Sequence, residues 1–235
     1  NVDDDWGGRL AEVLRRLDRA PLLTYGAAPD ADVRAHAFAT RLRGRFNNQN
    51  ILAALALSQL LGVPPSAVRE GIESLGGVPG RFESLDEGQP FSVIVDYAHT
   101  PDSLANVLLA ARELTDGRLI CVFGCGGDRD RSKRPEMGRI AEEVADVAIV
   151  TSDNPRHEEP LAIIDEILSG MRSDPEVEPD RRAAIAKAVQ LADEGDVIVI
   201  AGKGHEQGQE FGDRKVPFDD REVAREALRT LGARA

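Results

Sequence analysis

With 235 residues the chain has room for one large domain or for a domain and part of another. Hydrophobic residues make up 42% and charged residues 30%, a globular balance, and a net charge of −12 excludes a nucleic-acid backbone as a general partner, because phosphates need a basic face. The longest apolar run, Ile51 to Leu57, falls far short of the ~20 residues of a membrane helix and no leader pattern opens the chain, so no membrane partner and a cytoplasmic location are expected.

Leu10, Val13, Leu14 and Leu17 recur at helical spacing and predict an amphipathic helix from Gly7 to Arg19, after which Leu22 to Tyr25 reads as a short strand. No period is clear from Gly26 to Arg45. Asn47 then reads as the N-cap of a helix through Ile51, Leu52, Leu55 and Leu60 to Leu61, stopped by Gly62 with Pro64 beyond it. A shorter helix is expected from Ser66 to Leu75. The turn-rich string Gly76-Gly77-Val78-Pro79-Gly80 marks a domain boundary, giving expected domains of 1–78 and 79–235. Because residue 1 is asparagine and a helix is under way by Leu10, the chain reads as a piece of a longer one.

Beyond the boundary, β-like runs at Phe91–Asp96, Arg118–Phe123, Val147–Thr151 and Asp196–Ala201 alternate with helical stretches near 101–115, 134–145, 160–171 and 181–193. The alternation implies right-handed βαβ crossovers, hence an α/β fold with a Rossmann-like, mostly parallel sheet covered by helices on both faces. Nearly solid apolar runs suit strands buried on both sides. Asp219 or Asp220 caps a last helix whose apolar face is Val223, Ala224, Ala227, Leu228 and Leu231. Cys121 and Cys125 have no metal-site or disulfide spacing and read as buried free thiols.

Four strings fall where these strands give way to loops, the edge at which open parallel sheets bind ligands. After Phe123 come Gly124, Gly126 and Gly127, then Asp128, Arg129, Asp130, Arg131, Lys133 and Arg134, which read either as an anion site or as a solvated, self-paired charge run. Arg129 stands where a dinucleotide fingerprint needs its last glycine, so that reading fails. In Asp153-Asn154-Pro155-Arg156 the guanidinium can hold a carboxylate bidentately while Asp153 and the Asn154 carbonyl accept from an ammonium, matching an amino-acid zwitterion; the alternative is an Asx-Pro turn beside a surface arginine. Gly202-Lys203-Gly204-His205-Glu206 is not a phosphate-wrapping loop, and His205 reads as a positioner or as an imidazole bonded within its loop. In Asp96-Tyr97-Ala98-His99-Thr100-Pro101, Thr100 and Pro101 form a strong helix start, which puts Asp96 and His99 at the rim of the same edge, able to meet a ribose and a base.

Taken in order, Gly80-Arg81-Phe82-Glu83, Asp96 through Leu104, Phe123 through Met137, Asp153 through Arg156 and Gly202 through Glu206 closely resemble the Mur ligases, above all those that add diaminopimelate. The likeness is broad from Pro79 to Ala235, and upstream Gly44-Arg45-Phe46-Asn47-Asn48-Gln49-Asn50 resembles the end of that family's central ATPase domain. Residue by residue, the resemblance implies that Arg129, Asp153, Asn154, Pro155, Arg156, Gly202 and Glu206 hold meso-2,6-diaminopimelate, with Arg129 and Arg156 on its carboxylates and Glu206 on an ammonium. It implies further that Asn50, Arg81, Asp96 and His99 approach ATP. The implied reaction is ATP-dependent and magnesium-dependent amide formation on a UDP-muramoyl dipeptide through an acyl phosphate, in peptidoglycan precursor synthesis, by a monomer. The family's phosphate loop, its magnesium-holding lysine and its UDP-binding domain have no counterpart in the 235 residues, so no catalytic or metal residue is assigned and the chain alone is expected not to turn over. Two other classes stay open: a folylpolyglutamate or cyanophycin synthetase relative, and a non-catalytic amino-acid-binding module.

Overall fold

A computed structural model of the chain describes residues 1–18, 21–34, 38–40, 42 and 44–233. It divides into two compact units, Asn1–Gly77 and Val78–Ala235.

In the first unit, α1 (Asp5–Leu17) starts at Asp4, whose carboxylate accepts from Trp6 and Gly7 backbone N–H groups, satisfying donors that the first turn leaves open. The expected last residue, Arg19, lies outside the described residues. The expected apolar face is present but faces outward within this unit: Leu10, Val13 and Leu17 are at least half exposed, and the buried residue of the helix is Ala11. No strand forms at Leu22 to Tyr25; Tyr25 makes only an isolated parallel bridge with Val33, because Thr24 is tied instead to Asp32 through its backbone N–H and its hydroxyl. α2 (Arg45–Leu60) begins after Gly44 without a side-chain cap. Asn47 is therefore inside the first turn rather than at the N-cap, buried, with its carbonyl accepting from the Asn50 amide at 3.2 Å. The stop at Gly62 is as expected: at φ +68° it closes a Schellman motif, its N–H bonding Gln59 and that of Val63 bonding Ser58. α3 (Pro65–Ser74) follows with its proline in the first turn. A small cluster of Val33, Leu52 and Ala56 forms the core of this unit.

The second unit is a six-stranded sheet with helices on its faces. Its elements in chain order are β1 (Glu83–Leu85), β2 (Ser92–Asp96), α4 (Pro101–Arg112), β3 (Leu119–Phe123), α5 (Lys133–Val144), β4 (Val147–Val150), α6 (Pro160–Leu168), β5 (Glu176–Val177), α7 (Arg181–Leu191), β6 (Val197–Ala201), β7 (Gly208–Phe211), β8 (Arg214–Pro217) and α8 (Asp220–Gly232). The sheet order is β1-β2-β6-β3-β4-β5, all parallel except the β1–β2 pair, and β7 and β8 form a separate antiparallel hairpin. The four strands read from apolar runs are β2, β3, β4 and β6; β1, β5 and the hairpin were not legible, being two to four residues long and lacking a solid apolar run.

Alternation along the strands divides the core. Val93, Val95, Ile120, Val122, Ile198 and Ile200 meet Ile185 and Val189 of α7 and Val223, Ala224 and Leu228 of α8. Ile94, Cys121 and Val199 point to the other face, where α4 packs on β3 and β6. Burial keeps both cysteines free and pushes each thiol up to about 12, so they are inert packing residues. α4 has the expected Thr100 cap, completed by Ser103 into a capping box.

Of the two candidate caps of α8, Asp219 holds the position and Asp220 does something else. Asp220 is fully buried and grips the equally buried Arg181 at the start of α7 bidentately, at 2.8 and 2.7 Å, while the same guanidinium donates to the Ala201 and Ser152 carbonyls at the ends of β6 and β4. Removing one partner leaves a charge in the core without compensation. Asp220→Ala is therefore expected to destabilise the second unit by about 3–5 kcal/mol in urea unfolding, and pairing it with Arg181→Met is expected to recover most of that loss.

Candidate functional site

Because β2, β6, β3 and β4 are neighbours and parallel, their carboxyl ends lie side by side, and the loops that follow them are the four strings marked in the sequence. Insertion of β6 between β2 and β3 brings Gly202–Glu206 between the other loops, a placement that needs the sheet order and not the chain order. Together they enclose a cleft of about 330 Å³. Its lining comprises Tyr97, His99 and Thr100 after β2, Gly202 and Glu206 after β6, Gly126, Arg129, Asp130 and Lys133 after β3, and Asp153, Asn154 and Arg156 after β4.

Two glycines allow the loops to pack backbone to backbone. A Cβ on Gly127 would stand 1.9 Å from the Pro155 carbonyl oxygen, and one on Gly80 would stand 2.1 Å from the His205 backbone nitrogen. The Gly127 N–H bonds the Asn154 carbonyl at 2.8 Å, joining the β3 and β4 loops. Asp128 and Arg156 face each other across this seam with φ of +53° and +52°, a conformation that costs non-glycine residues of order 1–3 kcal/mol. Neighbours hold both: the Asp128 N–H donates to Glu158, and Arg156 bonds the hairpin through its N–H to Glu210 and its carbonyl to Gly212. Beneath the seam lies Arg134, fully buried, paired with Glu158 and Glu166 at 2.8 Å and donating to the Gly126 carbonyl. The charges after Asp128 are thus mostly paired: Arg131 binds Glu166, and Asp128 takes a hydrogen bond from the His157 ring.

Arg129 differs. It is exposed, lines the cleft and has no hydrogen bond or ion pair among the described residues. Arg156 is half-buried; its Nε meets Glu210 at 2.8 Å and its Nη1 donates to the Gly127 carbonyl, leaving Nη2 without a partner among the described residues. Opposite in charge is Glu206, which accepts at one oxygen, Oε2, from Asn154 and Lys203, both at 3.0 Å. Burial pushes its carboxyl up, but those hydrogen bonds and the charge of Lys203 outweigh it and hold the group below the ordinary carboxylate range. Asp153 is more deeply buried, and burial pushes it up against the pull of Arg181 and Lys203. The network centres on Lys203, whose ammonium has no exposure and reaches Asn154 Oδ1 at 2.8 Å, Glu206 at 3.0 Å and Asp153 at 3.7 Å.

Of the residues assigned from sequence to an amino acid, Arg129, Asp153, Asn154, Arg156, Gly202 and Glu206 line one cleft; Pro155 does not, its ring being buried and its carbonyl turned to Gly127. Of those assigned to ATP, His99 lines the same cleft and Arg81 stacks on the Tyr97 ring at 4.6 Å. Asp96 is buried, its two oxygens accepting from the Phe82 and Ala98 backbone N–H groups; Asn50 belongs to the first unit and is exposed. Lys203, Arg134 and Lys133, which donates to the His99 carbonyl at 2.6 Å, were not assigned. A lysine between two glycines directly after a buried strand is the available signal for Lys203.

Comparison with known proteins identifies the family. The family model described as Mur ligase, glutamate ligase domain, matches residues 80–204. A UDP-N-acetylmuramoyl-L-alanyl-D-glutamate–2,6-diaminopimelate ligase of Solibacter usitatus is 46% identical over 99% of this chain and 51% of its own length. The same-named ligase of Thermosynechococcus vestitus is 50% identical over 97% of this chain and 50% of its own. A solved structure of a ligase of that name matches with a TM-score of 0.65 at 34% identity, covering 95% of this chain and 50% of the other. The chain thus spans about half the length of the curated relatives it matches.

Hydrogen bonds from Arg134 lead the forces that lower the Glu158 carboxyl from the ordinary 4.5 to about 2. A carboxyl depressed by folding contributes stability that is complete above its unfolded value and is lost as the pH falls through its folded value, so this contribution fades from about 4.5 down to about 2. The destabilisation caused by Glu158→Gln is expected to be largest near neutral pH and to shrink steadily below about pH 4.5 in urea titrations.

Proposed function

This chain belongs to the Mur ligase family, and on that premise we propose that its second unit is the part of a diaminopimelate-adding ligase that holds the incoming amino acid. The observation that carries the proposal is an unpaired guanidinium, Arg129, and a half-paired one, Arg156, sharing one cleft with the ionised carboxyl of Glu206. meso-2,6-Diaminopimelate has two carboxylates and two ammonium groups. Arg129 takes one carboxylate as a charge-assisted, fork-like partner, Arg156 takes the other through its open Nη2, and the open oxygen of Glu206 takes an ammonium. Lysine lacks one carboxylate and would leave a cation of the cleft unmet, which is how such a site discriminates. The reactive amine of the ligand is left for the electrophile, and the contribution of this unit is positioning and charge neutralisation.

For ATP, the edge after β2 offers faces that suit a base: the Arg81 guanidinium lies over the Tyr97 ring at 4.6 Å, the His99 ring stands edge-on to Tyr97 with centroids 4.6 Å apart, and the His205 ring is tilted against it at 5.5 Å. Asp96 supports that edge by holding Phe82 and Ala98 in place. ATP would supply the energy to activate the acceptor carboxylate of the UDP-muramoyl dipeptide. For Mg2+, no group of three or more His, Cys, Asp or Glu side chains that could hold a metal gathers among the described residues, so no step is assigned to it here. The first unit is read as the end of the ATP-binding domain, with Asn50 on its nucleotide side. The relatives' shared name, in place of a folylpolyglutamate or cyanophycin synthetase, favours diaminopimelate over glutamate or other amino acids.

Calorimetric titration of the chain is expected to show meso-2,6-diaminopimelate binding more tightly than L-lysine. Arg156→Ala should weaken that binding by about 2–3 kcal/mol, roughly 30- to 150-fold, by stripping a charged partner from a desolvated carboxylate. Equal affinity for the two ligands, or an unchanged affinity in the variant, would remove the proposal. A phosphate-release assay on the isolated chain with ATP and both substrates is expected to stay at background, because the G-x-x-x-x-G-K-[ST] pattern is absent from its 235 residues.

A further inference from the structure

Lys203 sits too deep to touch a ligand, yet every polar group around it belongs to the cleft. Its ammonium crosses from the β6 loop to the β4 loop and meets Asn154 Oδ1 at 2.8 Å, Glu206 Oε2 at 3.0 Å and Asp153 Oδ1 at 3.7 Å. The Asn154 carbonyl also accepts the Glu210 backbone N–H at 3.1 Å, so both of its lone pairs are used. That fixes the amide: Nδ2 must point the other way, where one hydrogen goes to Glu206 and the second has no partner among the described residues. One oxygen of Glu206 is filled by the same two donors, and Oε1 is left open.

From this juxtaposition we infer that Lys203 is a positioning residue that sets the hydrogen-bond polarity of the cleft, turning Asn154 into a donor toward a ligand carboxylate and keeping Glu206 an acceptor toward a ligand ammonium. The inference rests on the amino-acid reading of the cleft and deepens it. It reverses the part that the sequence pattern gave Asn154, whose carbonyl was expected to take an ammonium. Without the ammonium of Lys203 the Asn154 carbonyl keeps only the Glu210 N–H, and Glu206 keeps only the Asn154 amide and is left half-buried beside the acidic Asp153. The other charges that bear on Glu206 are the guanidinium of Arg156 on the cleft side and that of Arg181 behind Asp153. Loss of the Lys203 ammonium, whose hydrogen bond and charge both hold Glu206 down, therefore raises the carboxyl and lets it take up a proton as the medium becomes acid.

The test is calorimetric titration of the full chain with meso-2,6-diaminopimelate from about pH 8 to about pH 5, for the unmodified protein, Lys203→Met, and Lys203→Met combined with Glu206→Gln. The unmodified chain is expected to bind with nearly constant affinity across that range. Lys203→Met is expected to bind about tenfold more weakly at neutral pH and to lose up to tenfold more per pH unit on the acid side, a slope that the second substitution abolishes. A uniform loss without a slope would mark Lys203 as merely structural and overturn the inference while leaving the amino-acid reading standing. No binding by the unmodified chain would overturn both. Should Lys203→Met not fold, carbon-13 NMR titration of the Glu206 carboxyl in the unmodified chain decides: a midpoint below the ordinary glutamate value supports the inference, and one at or above it overturns it.

Discussion

Three cations without access to water, Arg134, Arg181 and Lys203, hold the carboxyl edge of the sheet together. Burying a charge costs several kcal/mol unless partners surround it, and here the partners come from different loops. Arg181 joins α8 to the ends of β4 and β6, Arg134 joins the β3 loop to the segment after β4, and Lys203 joins the β6 loop to the β4 loop. None of the loops after β3, β4 and β6 can move without stranding one of these charges. The edge is consequently stiff where open α/β sheets usually carry their adaptable loops.

Such stiffness suits a ligand that is almost all charge. A doubly zwitterionic amino acid is strongly hydrated, and a site wins it from water only if donors and acceptors already stand in place when it arrives. The left-handed backbone at Asp128 and Arg156 and the glycine contacts at Gly80 and Gly127 are local costs accepted for that placement. Arg129, exposed and unpaired among the described residues, stands at the cleft in contrast to the held Arg156, so that one guanidinium is fixed and the other is free. In a protein of net charge −12, the cleft sets Arg129, Lys133 and Arg156 against Asp130, Asp153 and Glu206, a lining of both signs that favours small ligands of mixed charge over polyanions.

Particular residues show how far the chain could be read without coordinates. The strands at 92–96, 119–123, 147–150 and 197–201 were legible because burial on both faces makes them solidly apolar. The hairpin of β7 and β8 was not, because Gln209, Glu210, Arg214 and Lys215 carry no apolar period, and yet Glu210 is what holds both Arg156 and Asn154. Asn47 has the chemistry of a cap, but its side chain is spent on a neighbour one turn along, a choice between two local hydrogen bonds that composition does not weigh. Arg134 and Lys203 stand in strings that the sequence marks, Arg134 as an anion binder or a self-paired charge, but only the fold buries them and puts acids around them.

The sequence by itself determined the βα alternation, the strings that end each strand, and the set of charges and glycines from which a site for an amino acid could be assembled, since those depend on periodicity and residue chemistry within a few positions. Only the tertiary structure decided which of those charges face a ligand and which neutralise one another. That choice is made by β6 entering between β2 and β3, which sets Lys203 against Asn154 across 49 residues of chain. Hydrogen-bond polarity is a property of such long-range pairs, and no local pattern encodes it.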